Sequence, residues 1–145
     1  MQLHPEPFRD ILYRTAARYL TVRPEGFLIA GKTVPVLDAR VLAFGAARTL
    51  YRGKKPVCRS LDAVQSIRGK RCSECPDLRH CTPQVRVDLL VGDRPWRLLL
   101  AFTSAKHFLL YAAELKIAGV AIEASTTRMS VTPRGSWGEV RFQKV

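Results

Sequence analysis

The sequence predicts a mainly β domain in which five strands form a small barrel and one helix lies between the third and fourth strands. Strand-type alternation of apolar and polar residues marks residues 84–91, and helical spacing of apolar residues marks residues 103–118. The chain has 145 residues, of which 47% are hydrophobic and 25% charged. This is the length and composition of one globular domain.

The first 25 residues predict a helical extension that precedes this domain. Residues 7–20 carry apolar side chains at helical spacing: Phe8, Ile11, Leu12, Ala16 and Tyr19. Pro24, Glu25 and Gly26 then break the helical pattern. We therefore expect an N-terminal helical extension over residues 1–25 and the domain itself over residues 26–145.

The first strand of the domain and the segment after it differ sharply in composition. Residues 34–51 are rich in β-branched and apolar side chains, which predicts a long strand that bends near Gly45. Residues 52–83 lose this periodicity and gather Gly, Pro, Cys and charged residues. We therefore expect an irregular insertion between the first two strands.

The remaining elements follow in a regular order. Residues 84–91 and 96–102 predict a hairpin around the turn 92–95, and the helix after them should end at Gly119. Its expected core stripe is Phe108, Leu109, Ala112 and Leu115. Residues 120–132 and 137–145 predict the last two strands. This element order is that of an OB-fold, a five-stranded Greek-key barrel, although an unrelated α+β fold can have the same order.

Four cysteines lie within 24 residues of the insertion: Cys58, Cys72, Cys75 and Cys81. Four thiolates at this spacing can close a tetrahedral structural zinc site, and His80 can replace one of them. A [4Fe–4S] cluster uses the same four ligands and is the alternative. The sequence therefore predicts a four-cysteine metal site that holds the insertion in shape.

Basic residues concentrate around the same insertion. The chain has 24 Lys and Arg against 12 Asp and Glu, a net charge of +12. Residues 46–86 hold ten of these basic residues and only three acidic ones, so that they contribute +7 of the total. Such an excess is typical of proteins that bind nucleic acid phosphates.

Basic residues of the insertion and the last strands, with aromatic residues near strand ends, form the predicted nucleic-acid contact set. An exposed aromatic ring at a strand end can stack on an unpaired base. The members of this set are Arg48, Tyr51, Arg52, Lys54, Lys55, Arg59, Arg68, Lys70, Arg71, Arg86, Arg128, Trp137 and Arg141. Core packing is the expected role of Phe102 and Phe108.

No residue pattern supports an enzymatic activity. Residues 26–33 match the P-loop pattern, but the apolar residues between its glycines and the Val34-Pro35 step favour extended chain instead of a helix. We therefore interpret them as a hairpin or a strand end. The three histidines are not spaced with a nucleophile and a carboxylate, and no carboxylate pair indicates a two-metal site.

One block of residues resembles a known group of proteins. Residues 55–62, Lys-Pro-Val-Cys-Arg-Ser-Leu-Asp, followed by Cys72, Cys75-Pro76 and Cys81, resemble zinc-containing OB-fold single-stranded DNA-binding proteins of phages and mobile elements. The resemblance spans about residues 26–145 and implies a single-stranded target. Members of this group carry glycine after the aspartate, where this chain has Ala63, and the loop between Cys75 and Cys81 is shorter here.

The expected function is non-enzymatic binding of single-stranded nucleic acid, DNA more than RNA, with low sequence specificity, in replication, recombination or mobile-element processing. The alternative is a protein-binding or RNA-contacting subunit of a larger nucleoprotein complex of the CRISPR or transposition type. No segment has the length of a membrane span or the features of a secretory signal, so we expect a cytoplasmic, nucleoid-associated protein without membrane partners.

Overall fold

A computed structural model describes residues 18–145 as a mainly β structure with two sheets and one α-helix. Its strands are β1 (Arg18–Tyr19), β2 (Thr21–Arg23), β3 (Gly26–Ile29), β4 (Lys32–Val34), β5 (Val36–Arg52), β6 (Lys55–Ser60), β7 (Thr82–Val91), β8 (Arg94–Leu100), β9 (Thr126–Arg134) and β10 (Trp137–Lys144). The helix α1 is Phe102–Ile117. Short 3-10 turns occur at Cys72–Glu74, Leu78–His80 and Ile122–Ala124.

Strand β5 is the central strand of the larger sheet and pairs with three other strands. On one edge it pairs with β7 from Arg40 to Thr49. On the other edge its first five residues pair with β9 and its last five with β6. The register shifts between Val41 and Ala43, so the irregularity lies just before the predicted bend at Gly45. The long first strand is confirmed.

The predicted hairpin of the second and third strands is present as β7 and β8, which pair through the turn at Gly92. β7 is buried on both faces, because Arg86 and Asp88 are buried as well as the apolar residues between them. β1 adds a short parallel pairing to the outer edge of β8, which makes the larger sheet mixed.

The helix α1 supplies the aromatic centre of the core. Phe108 is fully buried and meets Phe44 and Phe142 edge to face, each with ring centroids 5.1 Å apart. Tyr111 shares a buried hydrogen bond of 2.7 Å with Thr127. The buried stripe is Ser104, Phe108, Tyr111 and Leu115, so the prediction of Leu109 as a core residue is wrong; Leu109 is exposed. Gly119 ends the helix as predicted, with φ of +71°.

A three-stranded sheet of β2, β3 and β4 packs beside the last hairpin. Gly138 of β10 lies so close to Arg23 that a Cβ there would be 2.5 Å from its carbonyl oxygen. Residues 26–33, which match the P-loop pattern, form the β3–β4 hairpin with φ of 49° at Ala30 and 77° at Gly31. The interpretation of this segment as a hairpin is confirmed.

Three expectations about the fold need correction. The described part of the chain contains no closed barrel, because β8 pairs with β1 and not with β10. The predicted N-terminal helix over residues 7–20 lies mostly outside the described residues, and Arg18–Tyr19 and Thr21–Arg23 are strands. The region 52–83 contains the strand β6, whose pairing with β5 overrides its weak strand pattern. Within residues 18–145 no helix is long and apolar enough to cross a membrane.

The buried stripe of α1 can be tested with two neighbouring substitutions. Phe108→Ala should lower the free energy of unfolding by about 3–5 kcal/mol, because it leaves a cavity among three aromatic rings. Leu109→Ala, on the exposed side of the same helix, should change it by less than about 0.5 kcal/mol. Urea denaturation of both variants measures the difference, and equal losses would contradict the observed orientation of α1.

Candidate functional site

One cavity of about 840 Å³ lies at the end of β5, between β6 and the loop 61–81. Six basic residues line it, against the two acidic residues Glu74 and Asp77. We call it the cationic cavity. Its basic residues are Arg48, Arg52, Arg59, Arg68, Lys70 and Arg71, and its apolar wall is formed by Leu50, Val57, Pro76 and Leu78.

The structure brings six of the thirteen predicted contact residues to this cavity. The six basic residues that line it were all in the predicted set, and Lys54 and Lys55 lie exposed at the adjoining β5–β6 turn. β5 and β6 position Arg48, Arg52 and Arg59 through their backbone pairing. The loop supplies Arg68, Lys70 and Arg71. Basic residues that cluster along the sequence therefore form a concave surface in the fold.

Asp62 fixes the start of the loop. Its Oδ1 accepts hydrogen bonds from the N–H groups of Val64 (2.8 Å) and Gln65 (2.9 Å) and from the hydroxyl of Ser60 (3.1 Å). Burial raises the pKa of Asp62, but these hydrogen bonds outweigh it and hold the pKa below its ordinary value of 3.8. The Ser-x-Asp part of the motif in residues 55–62 thus has a structural role, as an aspartate turn.

Ala63 follows this turn in a left-handed backbone conformation, with φ of 62°. A side chain makes this conformation unfavourable, whereas glycine adopts it freely. The backbone of this turn therefore favours glycine at a position where the chain has alanine.

The loop is held to the strands by further hydrogen bonds. Arg68 donates to the carbonyl oxygen of Val57 in β6 at 3.0 Å, and within the loop Gln65 and Arg71 form an isolated antiparallel bridge. From β7 the guanidinium of Arg86 donates to the carbonyl oxygen of Leu61. The position of the cavity wall is thus fixed by contacts to both β6 and β7.

The prediction of a four-cysteine metal site is wrong. Cys58, Cys72, Cys75 and Cys81 all line the cationic cavity as free thiols, but no three His, Cys, Asp or Glu side chains of residues 18–145 can hold one metal ion. A zinc ion needs four sulfur atoms about 2.3 Å from one point, which is far stricter than sharing one cavity wall. The expected zinc ion and the alternative [4Fe–4S] cluster, with His80 as substitute ligand, are both excluded by this arrangement.

The backbone fixes the cysteines in different local structures. Cys58 is fixed opposite Leu50 in the β5–β6 ladder, and Cys72 is buried with its N–H bonded to the carbonyl oxygen of Val64. The thiol of Cys81 instead donates to the carbonyl oxygen of Asp77 at 3.6 Å. Burial raises the pKa of Cys81, and the negative charge of the other thiolates raises it further, so the thiol form is favoured.

Arg86 is buried, unlike the other members of the predicted contact set. It lies 3.2 Å from Asp88, which also accepts a hydrogen bond of 3.1 Å from Arg97 across the β7–β8 ladder. Removing a charge from such a buried group leaves an uncompensated partner. We therefore assign Arg86 to the support of the loop and not to its binding surface.

Three other predicted contact residues, Arg128, Trp137 and Arg141, lie at the opposite end of the sheet. Arg128 is opposite Asp38, and ten residues, about 33 Å of strand, separate Asp38 from Arg48. Arg128 and Asp38 form a bidentate pair at 2.8 and 3.0 Å, and the hydrogen bond from Arg128 lowers the pKa of Asp38.

In the β9–β10 hairpin, Arg141 pairs with Glu139 at 3.1 Å. Burial raises the pKa of Glu139, but Arg134 and Arg141 outweigh it and the pKa is lowered. Trp137 is 48% exposed, yet its neighbours Arg134 and Arg141 are partly neutralised by Glu139. This end of the sheet is therefore less cationic than the cavity.

Two exposed aromatic residues lie toward the same end of the sheet as the cationic cavity, although neither lines it. Tyr51 is partly exposed at the end of β5, and its hydroxyl accepts a hydrogen bond from Gln84 at 3.2 Å. Phe102 is 78% exposed and has φ of 50°, so the expectation that it packs in the core is wrong. The β7–β8 register ends at Val85 and Leu100, which places Phe102 at the end of the sheet where β7 leaves the loop.

Sequence reasoning missed Phe102 because its place follows from where β8 ends. An apolar residue between a strand and a helix resembles a core residue in its sequence context, and nothing in residues 96–108 marks it as exposed.

Comparisons with protein-family models, curated proteins and solved structures found no match to the chain.

The aspartate turn predicts a pH-dependent stability. Because the pKa of Asp62 is lower in the folded protein than in the unfolded chain, its carboxylate stabilises the fold above the unfolded-state pKa, and this contribution is lost as the pH falls through the folded-state value. Asp62→Ala should cost about 1–2 kcal/mol at pH 7 and progressively less below pH 3.8. Denaturant titrations at several pH values measure the change. The exposed control Asp93→Ala should show a much smaller loss, and similar losses would contradict the role of Asp62.

The conformation of Ala63 predicts a stabilising substitution. Ala63→Gly removes the steric cost of a positive φ, about 1–2 kcal/mol, and adds freedom to the unfolded chain, so the net gain should be about 0.5–1 kcal/mol. Thermal denaturation should show a higher midpoint than the parent protein. Ala46→Gly, in the exposed part of β5, should lower the midpoint instead. A loss of stability in Ala63→Gly would contradict the left-handed turn.

Proposed function

We propose that this protein binds single-stranded nucleic acid, with DNA as the expected form, without catalysing a reaction and with low sequence specificity. The observation that carries the proposal is the cationic cavity, which six basic residues line at one end of the sheet, with two exposed aromatic residues outside its lining. Phosphates supply the complementary charge, and bases supply rings that stack on aromatic side chains.

The distribution of charge supports an extended ligand. Lys54 and Lys55 continue the basic surface beyond the cavity, and both are exposed. The loop residues Arg68, Lys70 and Arg71 are exposed on the other side. A strand that crosses the cavity can therefore contact cations on both sides of it. Lys and Arg side chains contact phosphates whatever the base sequence, which favours backbone contacts and low specificity.

The aromatic residues support an unpaired strand over a duplex. Tyr51 is held by its hydrogen bond to Gln84, so its ring keeps a fixed position while one side stays exposed. Phe102, toward the same end of the sheet, is more exposed than Tyr51. Stacking on such rings requires bases that are not enclosed in a double helix.

The topology is compatible with an open OB-like arrangement, which we also propose. The order β8-β7-β5-β9-β10 is the order 3-2-1-4-5 of five OB-fold strands, and α1 lies between the third and fourth of these. The segment from β5 to β7, with the cationic cavity, then occupies the position of the first connecting loop, which in OB-folds contributes to oligonucleotide binding. The resemblance of residues 55–62 to phage and mobile-element proteins suggests a replication or recombination setting.

The salt dependence of binding tests this proposal. Affinity for a fluorescent oligothymidylate, measured by anisotropy, should fall steeply as salt increases, because bound phosphates release counterions. Lys54→Gln with Lys55→Gln should reduce the slope of log affinity against log salt by about 1.4, since each lost contact to a single strand accounts for about 0.7.

A matched pair of substitutions provides the control. Lys32→Gln with Lys144→Gln removes the same charge from exposed residues that do not line the cavity, and it should leave the slope nearly unchanged. Equal slopes for both double variants would contradict the placement of the site. Failure to bind single-stranded DNA or RNA at low salt would overturn the proposal and favour a role as a protein-binding subunit.

A further inference from the structure

Arg48, which lines the cationic cavity, has an unsatisfied buried polar atom. Its Nε is buried and has no hydrogen-bond partner within the part of the chain that the structure describes. The residue is fixed in β5, where it pairs with Pro83 on one side and Ser60 on the other. A buried donor on a charged group is costly without an acceptor, and such atoms in native proteins call for an explanation. An anion that enters the cavity would supply such an acceptor.

The rest of the cavity indicates what kind of anion fits. Its volume of about 840 Å³ lies within the range of small-molecule sites, roughly 300–1,000 Å³. Leu50 and Val57 from the paired strands, and Pro76 and Leu78 from the loop, form apolar walls. An inorganic anion would leave this apolar surface unused. A nucleotide has both a phosphate for the guanidinium groups and a base for the apolar walls.

The cavity wall is already ordered by contacts within the chain. Arg68 is tied to the carbonyl oxygen of Val57, and the Asp62 turn fixes the loop at its start. The N–H of Ile67 donates to the carbonyl oxygen of Arg59 at 2.9 Å. A pocket whose walls are fixed before binding loses little conformational entropy when a ligand enters.

We propose that the cationic cavity binds one unstacked nucleotide of the strand, with its phosphate on Arg48 and its base against the apolar wall. The inference rests on the proposed function and makes it more specific, since it distinguishes one nucleotide of the bound strand from the others. The neighbouring phosphates then contact the basic residues outside the cavity, such as Lys54 and Lys55.

Binding of single nucleotides tests the pocket directly. Thymidine 5′-monophosphate, thymidine and inorganic phosphate are each titrated into the full chain and followed by amide chemical shifts. The monophosphate should bind at least ten-fold more tightly than either thymidine or inorganic phosphate, because it alone uses both parts of the cavity. Equal affinity for monophosphate and inorganic phosphate would overturn the role of the apolar wall.

Matched substitutions identify the phosphate contact. Arg48→Gln should weaken monophosphate binding at least ten-fold. Arg79→Gln, in the loop 61–81 but outside the cavity lining, should change it less than two-fold. If Arg48→Gln does not fold, Arg48→Lys tests the same contact, because it keeps the charge but loses Nε, and it should weaken binding at least three-fold. Equal effects at positions 48 and 79 would overturn the proposal.

Oligonucleotide binding by the same proteins separates the two proposals. If the oligonucleotide binds but no nucleotide saturates the cavity, the pocket is wrong and the proposed function stands. If neither binds, both are wrong. If the monophosphate binds through Arg48 but no oligonucleotide binds, the nucleotide of a strand is not the ligand, and both the proposed function and this inference are overturned.

Discussion

The backbone pairing of β5 is the constraint on which the rest of the structure depends. A 17-residue strand exposes more backbone donors and acceptors than one partner can satisfy, and unpaired groups in a sheet interior are costly. β7 satisfies one edge, while β9 and β6 divide the other between them. The first half of β5 therefore lies in the aromatic core, and Arg48, Leu50 and Arg52 of its last five residues line the cationic cavity.

A layer of buried polar side chains lies on the face of β7 opposite the aromatic core. It connects the core region to the cationic cavity. Thr49 donates to Gln84 at 2.6 Å, and Asp88 lies between Arg86 and Arg97. Buried polar groups of this kind are stable only when their hydrogen bonds are satisfied together. The layer thus ties the position of the loop to the register of β5 and β7, so that the geometry of the cavity depends on the strands and not on a metal ion.

The strands and helix of residues 34–51 and 84–145 were largely predictable because apolar periodicity and two-residue glycine turns report local structure directly. The strand β6 was not, since its Pro, Cys and basic residues conceal a pairing that only β5 reveals. The position of the basic cluster was predictable, but its concave shape was not. The cysteine spacing was compatible with a metal site, yet spacing along the chain does not determine where strand pairing places the Cys58 thiol relative to those of the loop.

The most direct test of the central claim is a map of amide chemical-shift changes during titration of the isotopically labelled protein with oligothymidylate at low salt. The account predicts that the largest changes cluster at the end of β5, in β6, in the loop 61–81 and around Phe102, with small changes in the β9–β10 hairpin. Changes concentrated around Trp137 and Arg141, with the cavity residues unaffected, would contradict it.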